Sequence, residues 1–121
     1  MKEPTFESQE DYLEYILIIQ ERQPFVRSID IVNETGYSKP SISRAVHLLE
    51  SQGLIVINSD GHIILTENGN EKAQHIYERH KILTQYFIGL GVSAKQARMD
   101  ACRVEHVISE ETFQAIKEKL N

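Results

Sequence analysis

The chain has 121 residues, 40% of them hydrophobic, which is enough apolar material for one or two small folding units around a shared core. No apolar run reaches the roughly 18 residues of a membrane span. Residues 1–7 lack the apolar region of a secretory signal. The single cysteine, Cys102, excludes an internal disulfide and favours the cytoplasm. The formal net charge of −5 counts against a strongly basic nucleic-acid binder, because DNA affinity usually rests on Lys and Arg side chains.

A long amphipathic helix is predicted at residues 7–22, where apolar residues recur one turn apart. Leu13, Ile16 and Leu17 share one face of this helix, which Pro24 ends. This face gives the first half of the chain an apolar surface on which a core can form.

Two shorter helices follow, separated by a tight turn at Gly36. Ser28 is a candidate N-cap of the first of them, which stops at that glycine. Ser38 is a candidate N-cap of the second, which carries Pro40 in its first turn and ends at Gly53. Two short helices joined in this way indicate a helix-turn-helix, whose second helix enters the major groove of DNA.

The spacing of apolar residues then changes to that of a β-hairpin. Residues 54–57 and 62–65 are short β-prone runs, and the Asp60-Gly61 pair between them is a strong turn signal. A hairpin directly after a helix-turn-helix is the position of a wing. The pattern therefore favours a winged helix-turn-helix over a small α+β domain without a DNA-binding role.

Three more helices are predicted after the hairpin. The first runs from Thr66 to about Gly89. Ser93 and Gln96 form a capping-box pattern at the start of the second, and Ser109 opens the third. The predicted fold class is mostly α with a small β-hairpin, divided into a winged helix-turn-helix domain and a helical domain. The predicted domains are residues 1–66 and residues 67–121.

The helix after Gly36 carries most of the candidate DNA-binding side chains. Arg44 is the best candidate for a bidentate contact to guanine, and free N–H groups at the helix start suit a phosphate. The wing residues 60–62 are placed to reach the DNA backbone. For each residue alone, a helix cap or a solvated face is the alternative. The candidates are Arg27, Ser28, Ser38, Lys39, Pro40, Ser41, Ser43, Arg44 and His47.

A second group of polar residues predicts a transition-metal site. Cys102, Glu105 and His106 would share one face of a helix, and their thiolate, carboxylate and imidazole groups suit such a metal. The first helix adds two acids one turn apart, and the fourth adds a histidine on its apolar face. Spacing alone leaves open that the cysteine and histidine are core residues and the acids a solvated face. The candidate ligands are Asp11, Glu14, His80, Cys102, Glu105 and His106.

The chain resembles the DtxR/MntR family of iron- and manganese-dependent repressors over nearly its full length. The resemblance implies that the six candidate ligands hold Fe(II) or Mn(II), with Zn or Co possible in a purified sample. It also implies a homodimer formed by the helical domain and palindromic operator DNA as the partner. The apolar composition predicts no membrane association. The chain departs from longer members of the family, since we expect a two-domain form without their SH3-like domain. The segments that carry it are residues 10–14, 38–44, 65–69, 79–80 and 100–109.

Departures from the family pattern concern the choice of metal. Asp11 and Glu14 resemble the manganese-type members, whereas Cys102 resembles the iron-type members. Arg98 and Thr84 stand where iron-type members have ligands of an ancillary site, so we expect no such site here. A thiolate is a poor ligand for manganese, which favours iron slightly. In either case, the cation is expected to connect the first helix to the fifth.

Other functions remain open on the sequence alone. A metalloenzyme is one, although the chain has no His-Glu-x-x-His motif, Gly-rich phosphate loop or nucleophile elbow. A winged-helix regulator that responds to thiol oxidation at Cys102 or to an organic ligand is the second. A winged helix that binds another protein is the third.

Overall fold

The computed structural model describes residues 6–120, which form six α-helices and one two-stranded antiparallel sheet. They belong to two compact units, one up to Gln74 and one from His75, called here the N-terminal and C-terminal units. This division lies inside one helix, so the domain boundary predicted after residue 66 stays a prediction. Within the described range, no helix is both long enough and apolar enough to span a bilayer. The elements are α1 (Phe6–Arg22), α2 (Ser28–Thr35), α3 (Lys39–Ser51), β1 (Ile55–Ile57), β2 (Ile63–Leu65), α4 (Glu67–Gly89), α5 (Ala94–Val104) and α6 (Glu110–Leu120).

Helix α1 supplies the centre of the N-terminal core. Leu13, Ile16 and Leu17, which were predicted to share one face, are each at most 2% exposed. Tyr12 and Ile19 are buried as well. The buried surface of α1 is therefore broader than the three predicted positions indicate.

Helices α2 and α3 form the predicted helix-turn-helix. Gly36 lies between them with a φ of 76°, a left-handed conformation that glycine adopts without a steric cost. Ser38 caps α3, because its Oγ accepts the N–H of Ser41 at 3.3 Å. The prediction that Ser28 caps α2 is wrong. Ser28 is already helical, and the extended backbone of the N-cap belongs to Arg27.

Strands β1 and β2 form the predicted wing. They pair antiparallel, with Val56 opposite Ile64. The side-chain oxygen of Asn58 accepts two N–H groups of the turn, each at 2.9 Å. The N–H of Ile63 donates to the carbonyl oxygen of Val26 at 2.7 Å, which attaches the hairpin to the segment before α2.

Helix α4 begins against the base of the wing. Thr66 Oγ1 accepts the N–H of Gly69 at 3.1 Å and donates to the carbonyl oxygen of Gly53 at 2.7 Å. Gly69 is packed so closely that a Cβ atom there would lie 1.8 Å from the carbonyl oxygen of Leu54. The predicted start of this helix at Thr66 is confirmed, with Thr66 as the capping residue.

The C-terminal unit contains the end of α4 together with α5 and α6. Ser109 caps α6 as predicted, because its Oγ accepts the N–H of Thr112 at 3.1 Å. Ser93 caps α5 through the N–H of Gln96, at 3.3 Å. The predicted capping box is wrong in its second half, since the Gln96 side chain donates to Asp100 instead, at 2.9 Å. The buried apolar residues of this unit are Ile76, Leu83, Ala97, Ala101 and Phe113.

Candidate metal centre and nucleic-acid interface

His80 and Glu105 form a buried polar pair in the C-terminal unit. His80 Nδ1 lies 3.0 Å from Glu105 Oε1, and the Glu105 side chain is fully buried. The other carboxylate oxygen, Oε2, is buried and has no hydrogen-bond partner. A buried carboxylate oxygen without a partner is unfavourable unless a cation binds it. The pair therefore fits metal ligation.

The turn after α5 places this carboxylate. Helix α5 ends at Val104 with Glu105 as its C-cap, and the N–H of Ile108 donates back to the Val104 carbonyl oxygen at 2.9 Å. The prediction that Cys102, Glu105 and His106 lie on one continuous helix is wrong for this reason. Cys102 is in the helix, and His106 is in the turn.

Arg79, the residue before His80, holds this turn. Its Nη1 donates to the carbonyl oxygen of Glu105 at 3.1 Å and to that of Ile108 at 2.9 Å. Its Nη2 donates to Glu110 Oε1 at 2.9 Å. Arg79 was not predicted as a functional residue, because the groups it binds are 26 and 29 residues away along the chain. The signals in the sequence were its place beside His80 and the inclusion of residues 79–80 in the family resemblance.

Cys102 and His106 are both half-buried. Among residues 75–120 taken alone, no three metal-binding side chains bring donor atoms within 4.8 Å of one another. In the C-terminal unit the structure thus brings His80 and Glu105 into contact. A metal site with three or more protein ligands therefore needs more than these two side chains.

Asp11 and Glu14 are the buried acids of the N-terminal unit. They lie one turn apart on α1 and are 1% and 6% exposed. With Glu105 they make up the buried acidic side chains in the described part of the chain. Burying a carboxylate costs free energy unless a cation or hydrogen bonds compensate it. The alternative of a solvated face is therefore wrong for these two acids, and their burial is the pattern expected of metal ligands.

Helix α3 presents its predicted DNA-binding side chains on the face opposite its buried residues. Ser38 Oγ donates to Ser41 Oγ at 2.9 Å, and both side chains are half-buried. Ser41 Oγ also lies 3.4 Å from an Nη atom of Arg44. This face therefore offers hydroxyl and cationic groups to a ligand. The predicted DNA-binding residues that are exposed are Arg27, Ser28, Lys39, Pro40, Ser43, Arg44 and His47.

The tip of the wing is only partly available for contact. Asp60 and Gly61 are exposed. His62 is 8% exposed, and its ring stacks on that of Phe25 with centroids 4.2 Å apart. Of the three wing residues that were placed to reach DNA, His62 is therefore covered. Arg27 Nε lies 3.4 Å from the carbonyl oxygen of Asp60, which puts this cation beside the wing tip.

Both units match models of one protein family. The iron dependent repressor model of an N-terminal DNA binding domain matches residues 5–63, and the model of a metal binding and dimerisation domain matches residues 66–121. The transcriptional regulator MntR of Escherichia coli O157:H7 is 34% identical over 108 residues, which cover 89% of this chain and 70% of MntR. The iron-dependent repressor IdeR of Mycobacterium tuberculosis is 28% identical over 113 residues, which cover 93% of this chain and 49% of IdeR.

A solved structure agrees with the fold. A manganese-dependent transcriptional repressor in complex with manganese matches with a TM-score of 0.85 and 28% identity, covering 93% of this chain and 52% of that one. The chain thus spans about half the length of this solved repressor. The named relatives are regulators of transcription, which is a class without enzymatic activity. The chain therefore belongs to the DtxR/MntR family of metal-dependent transcriptional repressors.

Proposed function

We propose that the protein binds palindromic operator DNA as a homodimer in the bacterial cytoplasm, with Fe(II) or Mn(II) as its co-repressor. The observation that carries this proposal is the burial of Asp11, Glu14 and Glu105. These acids were predicted as ligands, and they are the acids that the described part of the chain buries. Family membership supplies the regulatory role, and no catalysed reaction is part of the proposal.

The proposed metal ligands are two acids of α1, a histidine of α4, and three side chains at the end of α5 and in the turn after it. Glu105 Oε2 supports the proposal, because it is buried and has no hydrogen-bond partner. Bound metal supplies the positive charge that offsets the buried carboxylates. The proposed ligands are Asp11, Glu14, His80, Cys102, Glu105 and His106.

The proposed DNA contact is the exposed face of α3, on which Lys39 and Arg44 carry the positive charge. Reading a palindrome requires two copies of this helix, roughly 34 Å or a multiple of that distance apart. The C-terminal unit is the proposed pairing surface, since its matching family model is one of dimerisation.

The proposed metal is Fe(II) or Mn(II), with a slight preference for iron. Cys102 favours iron, because manganese prefers oxygen and nitrogen ligands to a thiolate. The similar proteins include both an iron-dependent and a manganese-dependent repressor. Zn or Co, which bind such donor sets more tightly, can fill the site in a purified sample.

The test is DNA binding with and without metal. Chelated protein is titrated onto the promoter region beside its own gene, and Fe(II) or Mn(II) is then added under anaerobic conditions. A coupling free energy of about 1–3 kcal/mol, or roughly 5- to 150-fold in DNA affinity, is expected, and DNA should tighten metal binding by the same factor. DNA affinity that is equal in chelated and metal-loaded protein would contradict the proposal.

A matched pair of variants assigns the response to the buried acid. Glu105→Gln removes a fully buried carboxylate, whereas Glu110→Gln removes an exposed one in the same unit. We expect the first variant to lose the metal response of DNA binding and the second to keep it. Equal responses in the two variants would contradict the role given to Glu105.

A further inference from the structure

The guanidinium of Arg79 donates hydrogen bonds to three oxygen atoms in or next to residues 105–109, a segment called here the ligand turn. One nitrogen of its guanidinium donates to two carbonyl oxygens of this turn, those of Glu105 and Ile108. The other terminal nitrogen pairs with Glu110 at the start of α6. The guanidinium carbon lies 5.3 Å from the centre of the Phe113 ring, and the Arg79 side chain is 12% exposed. The cation is therefore held on several sides and has little freedom to move.

Two consecutive residues of α4 thus act on the same acid. His80 contacts the carboxylate of Glu105 at 3.0 Å, and Arg79 binds its main-chain oxygen at 3.1 Å. A carboxylate is oriented only if both its backbone and its side chain are fixed. We propose that Arg79 is a positioning residue that fixes the backbone of Glu105, so that the buried Oε2 atom is preorganised to bind the metal. This inference rests on the proposed function of the site.

The physical need for Arg79 follows from where α5 ends. The last carbonyl groups of a helix have no partner within the helix, and a side chain or water must satisfy them. Here the carbonyl oxygen of Glu105, the C-cap of α5, accepts a hydrogen bond from Arg79 Nη1. The carbonyl oxygen of Ile108, in the turn, accepts a second hydrogen bond from the same nitrogen. Without that donor, the backbone of the ligand turn would rotate towards other partners. The carboxylate of Glu105 would then move away from its buried position.

Replacing Arg79 should weaken metal binding in protein that is still folded. Residues that orient metal ligands typically contribute about 10- to 100-fold to metal affinity. We expect Arg79→Gln to raise the Kd for Mn(II) by at least about tenfold. Arg79→Lys keeps one cationic donor on a flexible stem and should recover part of the affinity.

Glu110→Gln is the matched control. It removes the ion pair with Nη2 and leaves both carbonyl contacts of Nη1 in place. We expect its Kd for Mn(II) to equal that of the wild type. If Arg79 had only a general structural role, its variants would be less stable than the wild type. Their affinity for Mn(II) would then not decrease in the order wild type, Arg79→Lys, Arg79→Gln.

The measurement is Mn(II) binding, which is detected through the electron paramagnetic resonance signal of the free ion. Circular dichroism first establishes that each variant is folded. Hydrogen exchange of the ligand turn is measured in the same variants without metal, and it should be faster in Arg79→Gln than in Glu110→Gln.

If Arg79→Gln does not fold, Arg79→Lys is tested in its place, and a Kd equal to that of the wild type overturns the inference. Unchanged Mn(II) affinity in folded Arg79→Gln overturns the inference about Arg79 and leaves the proposed function standing. Wild-type protein that binds neither Mn(II) nor, under anaerobic conditions, Fe(II) overturns the proposed function, and the inference with it.

Discussion

Gly69→Ala is expected to destabilise the N-terminal unit, although alanine is the better helix former. The new Cβ atom would lie 1.8 Å from the carbonyl oxygen of Leu54, whereas ordinary contacts begin at 3.4 Å, so the start of α4 must shift by about 1.6 Å (3.4 minus 1.8). Overpacking of this kind costs about 1–3 kcal/mol. The shift also strains the cap from Thr66 Oγ1, which contributes about 1 kcal/mol. The higher helix propensity of alanine relative to glycine stabilises the helix by about 1 kcal/mol and offsets part of this loss. The expected net loss is about 1–3 kcal/mol in the free energy of unfolding.

Gly89→Ala is the control for this prediction, because Gly89 lies in the same helix and nothing lies within 4 Å of the position of its Cβ atom. This variant should be neutral or more stable by up to about 1 kcal/mol. Both are measured by urea unfolding at one fixed protein concentration, so that association does not distort the comparison. Gly69→Ala protein as stable as the wild type would refute the reasoning. In that case the helix would be moving at little cost.

Three further predictions concern a cap, a DNA contact and a pH dependence. Ser38→Ala should lower the free energy of unfolding by about 1 kcal/mol, because it removes the hydroxyl that caps α3; an unchanged urea midpoint would contradict this. Arg44→Ala should weaken operator binding by about 1–3 kcal/mol and leave stability unchanged, which paired binding and unfolding titrations check. Hydrogen bonds from Gln114 and then Arg79 hold the pKa of Glu110 below 4.5. A lowered carboxylate pKa stabilises the fold above the unfolded-state value and is lost as the pH falls through the folded-state value. Stability should therefore fall less below pH 4.5 in Glu110→Gln than in the wild type.

The helix-turn-helix and the wing were predictable because their signals are local. Gly36 adopts the left-handed conformation that its residue type favours, and Ser38 caps the helix that it directly precedes. The hairpin likewise follows from β-prone runs on either side of Asp60 and Gly61. Each of these signals needs only the residues within a few positions along the chain. The N-cap of α2 was predicted wrongly because arginine is rarely an N-cap residue, whereas serine, present at the adjacent position 28, is a preferred one.

The candidate metal site was predictable only in part. The spacing of Asp11 and Glu14 fits a solvated helix face as well as a buried pair, and only packing decides between them. The sequence of residues 102–106 likewise fits a helix that continues through His106. The helix ends at Val104 instead, and the turn that follows it accepts hydrogen bonds from Arg79, which is distant in sequence. Long-range hydrogen bonds leave no periodic pattern, so they cannot be recognised from spacing.

The hydrogen bonds from Arg79 to the ligand turn end on peptide oxygens, which every residue type possesses. Exchanging side chains in this turn therefore leaves both acceptors in place. In the proposed site, a different donor at position 105 would change the chemical hardness of the ligand set and keep the same backbone support. The same backbone arrangement is therefore compatible with ligand sets of different chemical hardness.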